Sequence, residues 1–102
     1  MTLPPRVNLV TLGVKDVPAA TRFYEKLGWK RSSASMPEIS FLHTHGAGLI
    51  LWDREALAKD ANLHPDGTGF RGLALATNVR EPADVERALA EAAAAGARVT
   101  KP

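Results

Sequence analysis

The sequence contains no cysteine. That removes disulfides, thiolate nucleophiles and cysteine metal sites, and leaves histidine, carboxylate and amide groups as the only side chains able to hold a metal. No segment approaches the apolar run of about 20 residues that a spanning helix needs. The start, MTLPPRVNLV, has no unbroken apolar stretch behind a basic end, so the chain reads as a soluble cytoplasmic protein. Basic residues are not gathered either: thirteen Lys and Arg against eleven Asp and Glu lie scattered along the chain, with a net charge of +2. Without a basic block or basic residues interleaved with aromatics, nothing points to nucleic acid, and nothing points to a membrane surface.

What is present is ordinary for a globular chain. Of 102 residues, 45% are hydrophobic and 24% charged, which predicts a single domain around one core rather than a disordered or fibrous chain.

The first half reads as a strand, a helix and three short strands. Residues 7–14, VNLVTLGV, are mostly aliphatic or β-branched and predict a buried strand. Asp16 stands where an N-cap belongs and Pro18 falls in the first turn. Val17, Ala20, Tyr24 and Leu27 then recur at helical spacing until Gly28. Strands follow at Trp29 to Ser35, Glu38 to Thr44 and Leu49 to Trp52, parted by Met36-Pro37 and by Gly46-Ala47-Gly48, and the tight connections predict antiparallel pairing. A short helix is expected over 54–60. Residues 62–69, NLHPDGTG, have the composition of a linker.

The second half repeats the opening. GLALATNV (72–79) predicts a strand, Pro82 opens a helix, and Val85, Leu89, Ala92 and Gly96 carry the spacing and the stop. Val14-Lys15-Asp16 corresponds to Val79-Arg80-Glu81 at an offset of 65 residues, which marks an internal duplication. The run Ala92 to Ala95 is a good helix former without chemistry of its own.

TLGVKDVPAATRFYEKLGWK and LATNVREPADVERALAEAAAAGARVTKP, with the A-G-A before the last strand, resemble the vicinal oxygen chelate superfamily. That superfamily holds glyoxalase I, the bleomycin resistance proteins and the extradiol dioxygenases, and the resemblance covers nearly the whole chain. It implies an α+β fold of two paired βαβββ modules whose curved sheets enclose a ligand cleft. Module one falls at about 6–53, a linker at about 54–69 and part of module two at about 70–102. The resemblance implies two further strands after Val99 to Lys101, so the second module is expected to be incomplete at the C-terminus, either because the sequence is a piece of a longer chain or because a short chain closes by pairing with another copy. An incomplete curved sheet leaves an unpaired edge, and the expectation is a homodimer that covers it.

The resemblance also implies metal-ligand positions, which fall on Leu9, on Leu51 where metal-using relatives carry glutamate, and on Ala74. None of these binds a cation. A two-residue shift substitutes Gly72 for Ala74 and offers Asp53 for Leu51. His43 and His45 would share a face of a continuous strand, and with Asp53 or Glu38 as a third ligand they would make a site outside the family pattern. More simply, His43 ends a strand and His45 begins a turn. His64 beside Pro65 reads as solvated, and Ser32, Ser33, Ser35 and Ser40 as surface polar residues. Gly67-Thr68-Gly69 lacks the lysine of a phosphate loop.

Two functions follow. One is a bleomycin-resistance-like protein without metal or other cofactor that holds a small molecule in a cleft lined by Leu9, Thr11, Phe41, His43, Leu51, Phe70 and Ala74. The other is a divalent-metal-dependent lyase or dioxygenase of the same superfamily, the metal acting as a Lewis acid. A third possibility, an interaction domain, would use the open sheet edge.

Overall fold

The computed structural model describes residues 4–67, 69 and 73–99. They fall into two compact units, 1–65 and 66–102.

In the first unit, β1 (Leu9–Val14) leads into α1 (Val17–Lys26), followed by β2 (Lys30–Arg31), β3 (Ile39–His43), β4 (Gly48–Asp53) and α2 (Arg54–Asp60). The four strands form one sheet in the order β1-β4-β3-β2. β1 runs parallel to β4, while β4 with β3 and β3 with β2 are antiparallel. With helices beside a mixed sheet, this is the α+β arrangement expected from the sequence.

Local chemistry sets the ends of α1. The Asp16 carboxylate accepts the Ala19 N–H at 3.0 Å, satisfying one of the four unpaired donors of the first turn. At the other end Gly28 adopts φ +89°, a conformation that costs glycine little. Its N–H donates to the Glu25 carbonyl and the Trp29 N–H to the Tyr24 carbonyl, the pair of bonds that closes a Schellman motif. α2 ends the same way with Asn62 (φ +57°) in glycine's place, and Leu63 N–H donates back to Ala58.

β2 is shorter than the expected strand over Trp29 to Ser35. Ser32 Oγ accepts the Ala34 N–H, Ser35 N–H donates to the Ser32 carbonyl, and Ser35 Oγ accepts the Phe41 N–H. These local bonds offer the backbone a turn in place of a ladder.

The core lies between α1 and one face of the sheet. Leu42, Leu49 and Leu51 form its centre, with Val10, Leu12, Val14, Ala20, Tyr24 and Trp29 packed around them. Tyr24 stacks tilted on Trp29 at 5.0 Å and meets Phe23 edge-on at 5.1 Å. Its burial raises the phenol pKa above the ordinary 10.0.

One buried polar chain crosses this interface. Thr21 Oγ1 donates to the Val17 carbonyl at 2.7 Å, which uses its only proton. Ser40 Oγ, 2.7 Å away, must therefore donate to Thr21, and itself accepts from Arg31 Nε at 3.3 Å. Ser40 is 1% exposed, so the expectation of a surface serine is corrected. The reason is its register opposite Leu51, which places it against α1.

In the second unit, α3 (Pro82–Ala94) follows the Arg80-Glu81 motif as α1 follows Lys15-Asp16. The Glu81 N–H donates to Asp84 Oδ2, Arg87 pairs with Asp84 at 3.0 Å, and Gly96 (φ +114°) ends the helix. Ala97 N–H donates to Ala92 there, the counterpart of Trp29 to Tyr24. The strand expected over 72–79 is not formed in its described part, 73–79. A strand is defined by its ladder, and the described residues supply no partner to this segment.

Candidate functional site

Side chains alternate along a strand, and residues paired across a ladder share a face, so the register fixes both faces of the first unit's sheet. The α1 face carries Val10, Leu12 and Val14 from β1, Leu49 and Leu51 from β4, and Ser40 and Leu42 from β3. The opposite face carries Leu9, Thr11 and Gly13, then Gly48, Ile50 and Trp52, then Ile39, Phe41 and His43, and finally Lys30. Arg31 checks the assignment at β2: paired with Leu42, it bonds to Ser40 on the α1 face, so Lys30 belongs to the other.

On that second face three residues lie in one row. Ile50 pairs with Thr11 on one side and with Phe41 on the other. Leu9 precedes the row and is 60% exposed, and Trp52 and Ile39 follow it, partly buried. Gly48 matters at the Leu9 end, since a Cβ there would lie 2.9 Å from Leu9 Cδ2, and the leucine side chain leans over the space that glycine leaves. At the other end a Cβ on Gly13 would meet Leu57 Cδ2 at 3.2 Å and Arg54 Cα at 3.3 Å. α2 thus lies close over Gly13 and bounds that end of the face. The backbone of Phe41 is fixed on both sides, its carbonyl accepting from Ser32 N–H and its N–H donating to Ser35 Oγ.

Of the expected cleft residues, Leu9, Thr11, Phe41 and His43 are brought onto this one face. Leu51 is not: it is fully buried on the α1 face, paired with Leu12 and Ser40. Its neighbours Ile50 and Trp52 occupy the strand positions that the sequence reading gave to Leu51. Ala74 is an exposed residue of the second unit, outside any strand, and Phe70 lies outside the described residues.

The donors for a metal do not converge. β3 ends at His43, and His45 falls in the bend that follows, where Thr44 Oγ1 donates to the Ala47 carbonyl. Asp53 shares the parity of Leu51, away from His43, and its Oδ2 caps α2 by accepting the Ala56 N–H at 3.1 Å. Among the described residues no three histidine, aspartate or glutamate side chains are placed to hold an ion. The strand residues of the apolar face offer Thr11 and His43 as the only neutral oxygen and nitrogen donors, a set that does not fit a divalent cation.

Apart from this face, a concavity of about 400 Å³ opens where β1 and β4 finish, lined by Lys15, Asp16, Val17, Pro18, Pro37, Glu38 and Asp53. Sequence reasoning missed it because its walls come from three segments far apart in the chain: the start of α1, the approach to β3 and the end of β4. Two of its three carboxylates, Asp16 and Asp53, are already engaged as helix caps.

Residues 6–102 match the family model of the Glyoxalase/Bleomycin resistance protein/Dioxygenase superfamily. Among solved structures, a glyoxalase-related enzyme from Fulvimarina pelagi is similar at 33% identity and a TM-score of 0.76, over 90% of this chain and 66% of that one. An Agrobacterium tumefaciens protein solved by NMR is similar at 28% identity and a TM-score of 0.74, over 100% of this chain and 79% of that one. A lactoylglutathione lyase from the same organism, at 20% identity and a TM-score of 0.70, shares the fold over 97% of this chain and 76% of its own. The chain thus spans about two thirds to four fifths of the length of these relatives. No curated protein matches it.

Proposed function

Because the chain belongs to the Glyoxalase/Bleomycin resistance protein/Dioxygenase superfamily, we propose that it binds a small organic molecule on the apolar face of its first unit and breaks no bond in it. The row Thr11, Ile50 and Phe41, continued by Leu9 and Trp52, carries this reading. Apolar and aromatic walls with a few polar groups are what recognition of a small molecule needs. The strands and the bonded loop 32–35 hold those side chains on a fixed frame, which lowers the ordering cost of binding. The working form under this reading is a homodimer, the second copy pairing with the edge of β1, which among the described residues has a ladder partner on one side only.

Trp52 supplies the test. A fluorescence titration of the full chain with a panel of small aromatic and aliphatic compounds is expected to give saturable quenching, abolished by Phe41→Ala while the circular dichroism spectrum is retained. Elemental analysis of tag-free protein tests the metalloenzyme alternative: one equivalent of a divalent metal that survives dialysis would overturn the proposal. Sedimentation is expected to give twice the 10.9 kDa chain mass, and a stable monomer at all concentrations would refute the dimer.

A further inference from the structure

The apolar face has an unequal distribution of charge. Its strand positions are Leu9, Thr11 and Gly13, Gly48, Ile50 and Trp52, Ile39, Phe41 and His43, and Lys30. No carboxylate is among them, since Glu38 and Asp53 share the parity of the α1 face. The only fixed charge on these positions is the Lys30 ammonium. It stands opposite His43 in the β2–β3 ladder, two residues along β3 from Phe41. Lys30 has no ion-pair partner among the described residues. The far end, beyond Trp52, is bounded by Leu57 of α2 packed over Gly13.

A floor that is apolar and aromatic at its centre, closed by an aliphatic side chain at one end and charged positively at the other, is complementary to an amphipathic anion. We infer that the molecule bound there has an apolar, ring-sized body and a terminal carboxylate, the body lying against the part-exposed Phe41 ring and the carboxylate reaching Lys30 and His43. This rests on the small-molecule reading above and adds the ligand class to it. Lys30 would supply a charge-assisted hydrogen bond, the stronger kind, and His43 a ring nitrogen beside it. The neighbouring Arg31 cannot share this role, because its guanidinium is turned to the other face, where Nε donates to Ser40 and Nη2 to the Met36 carbonyl at 3.3 Å.

The test uses the full chain carrying Trp29→Phe, which leaves Trp52 as the sole tryptophan reporter. Two probes of one shape are titrated, 2-naphthoate and its uncharged counterpart 2-naphthamide. The expected result is a preference for naphthoate of about threefold to tenfold. That preference should vanish in Lys30→Met and persist in Arg31→Met, which removes the same charge from the same strand but from the other face. Equal binding of both probes would overturn the carboxylate assignment and leave small-molecule binding standing. Loss of the preference in both variants would also overturn it, since a general positive field would then explain the selectivity. Binding of neither probe would overturn both readings.

Discussion

Leu51 and Ile50, adjacent in β4, face opposite sides of the sheet: Leu51 is 0% exposed against the α1 side, and Ile50, at 7%, sits between Thr11 and Phe41 on the other. The two sides should therefore respond differently to truncation. Leu51→Ala opens a cavity among Leu42, Leu49 and Leu12, with an expected loss of about 3 kcal/mol in urea unfolding. Phe41→Ala, on a half-buried site, should cost about half as much. The order reverses for ligand: Phe41→Ala should abolish binding, and Leu51→Ala should leave it unchanged at temperatures where the variant is folded.

The direction of the buried hydroxyl chain makes a second prediction. Ser40 donates to Thr21 and accepts from Arg31. Thr21→Val takes away an acceptor and leaves the Ser40 hydroxyl proton without it in a dry interface, for a cost of about 1–2 kcal/mol. Ser40→Ala removes donor and acceptor together. Because both single changes lose the same bond, the double variant should fall short of their sum by about 1 kcal/mol, measured in a double-mutant cycle. Strict additivity would show that the two hydroxyls are not bonded.

Tyr24 gives the alkaline behaviour. Burial raises its pKa in the folded state above the ordinary 10.0. Above pH 10 the unfolded chain loses the phenol proton while the folded chain keeps it, so the unfolded state binds fewer protons and stability falls as pH rises. The contribution is fully present below pH 10 and disappears as pH climbs through the folded pKa. Tyr24→Phe should flatten that decline in chemical denaturation curves taken from pH 9 upward, and leave the curve near neutrality parallel to that of the parent.

Most of the first unit was legible because its signals are local. Asp16, Pro18 and Gly28 announce a helix whose ends those residues set, and the short helix expected over 54–60 matches α2, although its Asp53 cap was not anticipated. Which face of β4 meets the helix was not legible, since Leu49, Ile50, Leu51 and Trp52 are apolar at both parities and alternation carries no information in such a run. Only pairing with β3, which puts Ser40 against Leu51, assigns the sides. The burial of Ser40 was hidden for the same reason: its partner Thr21 lies 19 residues away and on another element. The described part of the expected strand, 73–79, has no ladder among the described residues, because β pairing is a property of two segments and propensity is a property of one.

Two glycines separate backbone conformation from space. Neither Gly28 nor Gly46 has an atom within 4 Å of an added Cβ, so alanine clashes with nothing at either site. Gly28 nevertheless holds φ +89°, within the Schellman turn that ends α1, whereas Gly46 has no such conformation. Gly28→Ala must strain the turn or give up the Trp29 to Tyr24 bond, at about 1 kcal/mol, and Trp29 would loosen against Tyr24 in step. Gly46→Ala restricts only the unfolded chain and should be neutral or slightly stabilising. Asn62, left-handed at the end of α2, supplies the converse: Asn62→Gly removes a strained Cβ and should not destabilise, which thermal unfolding of the three variants side by side would check. Equal losses at Gly28 and Gly46 would mean that the turn at Gly28 is not the one that stops the helix.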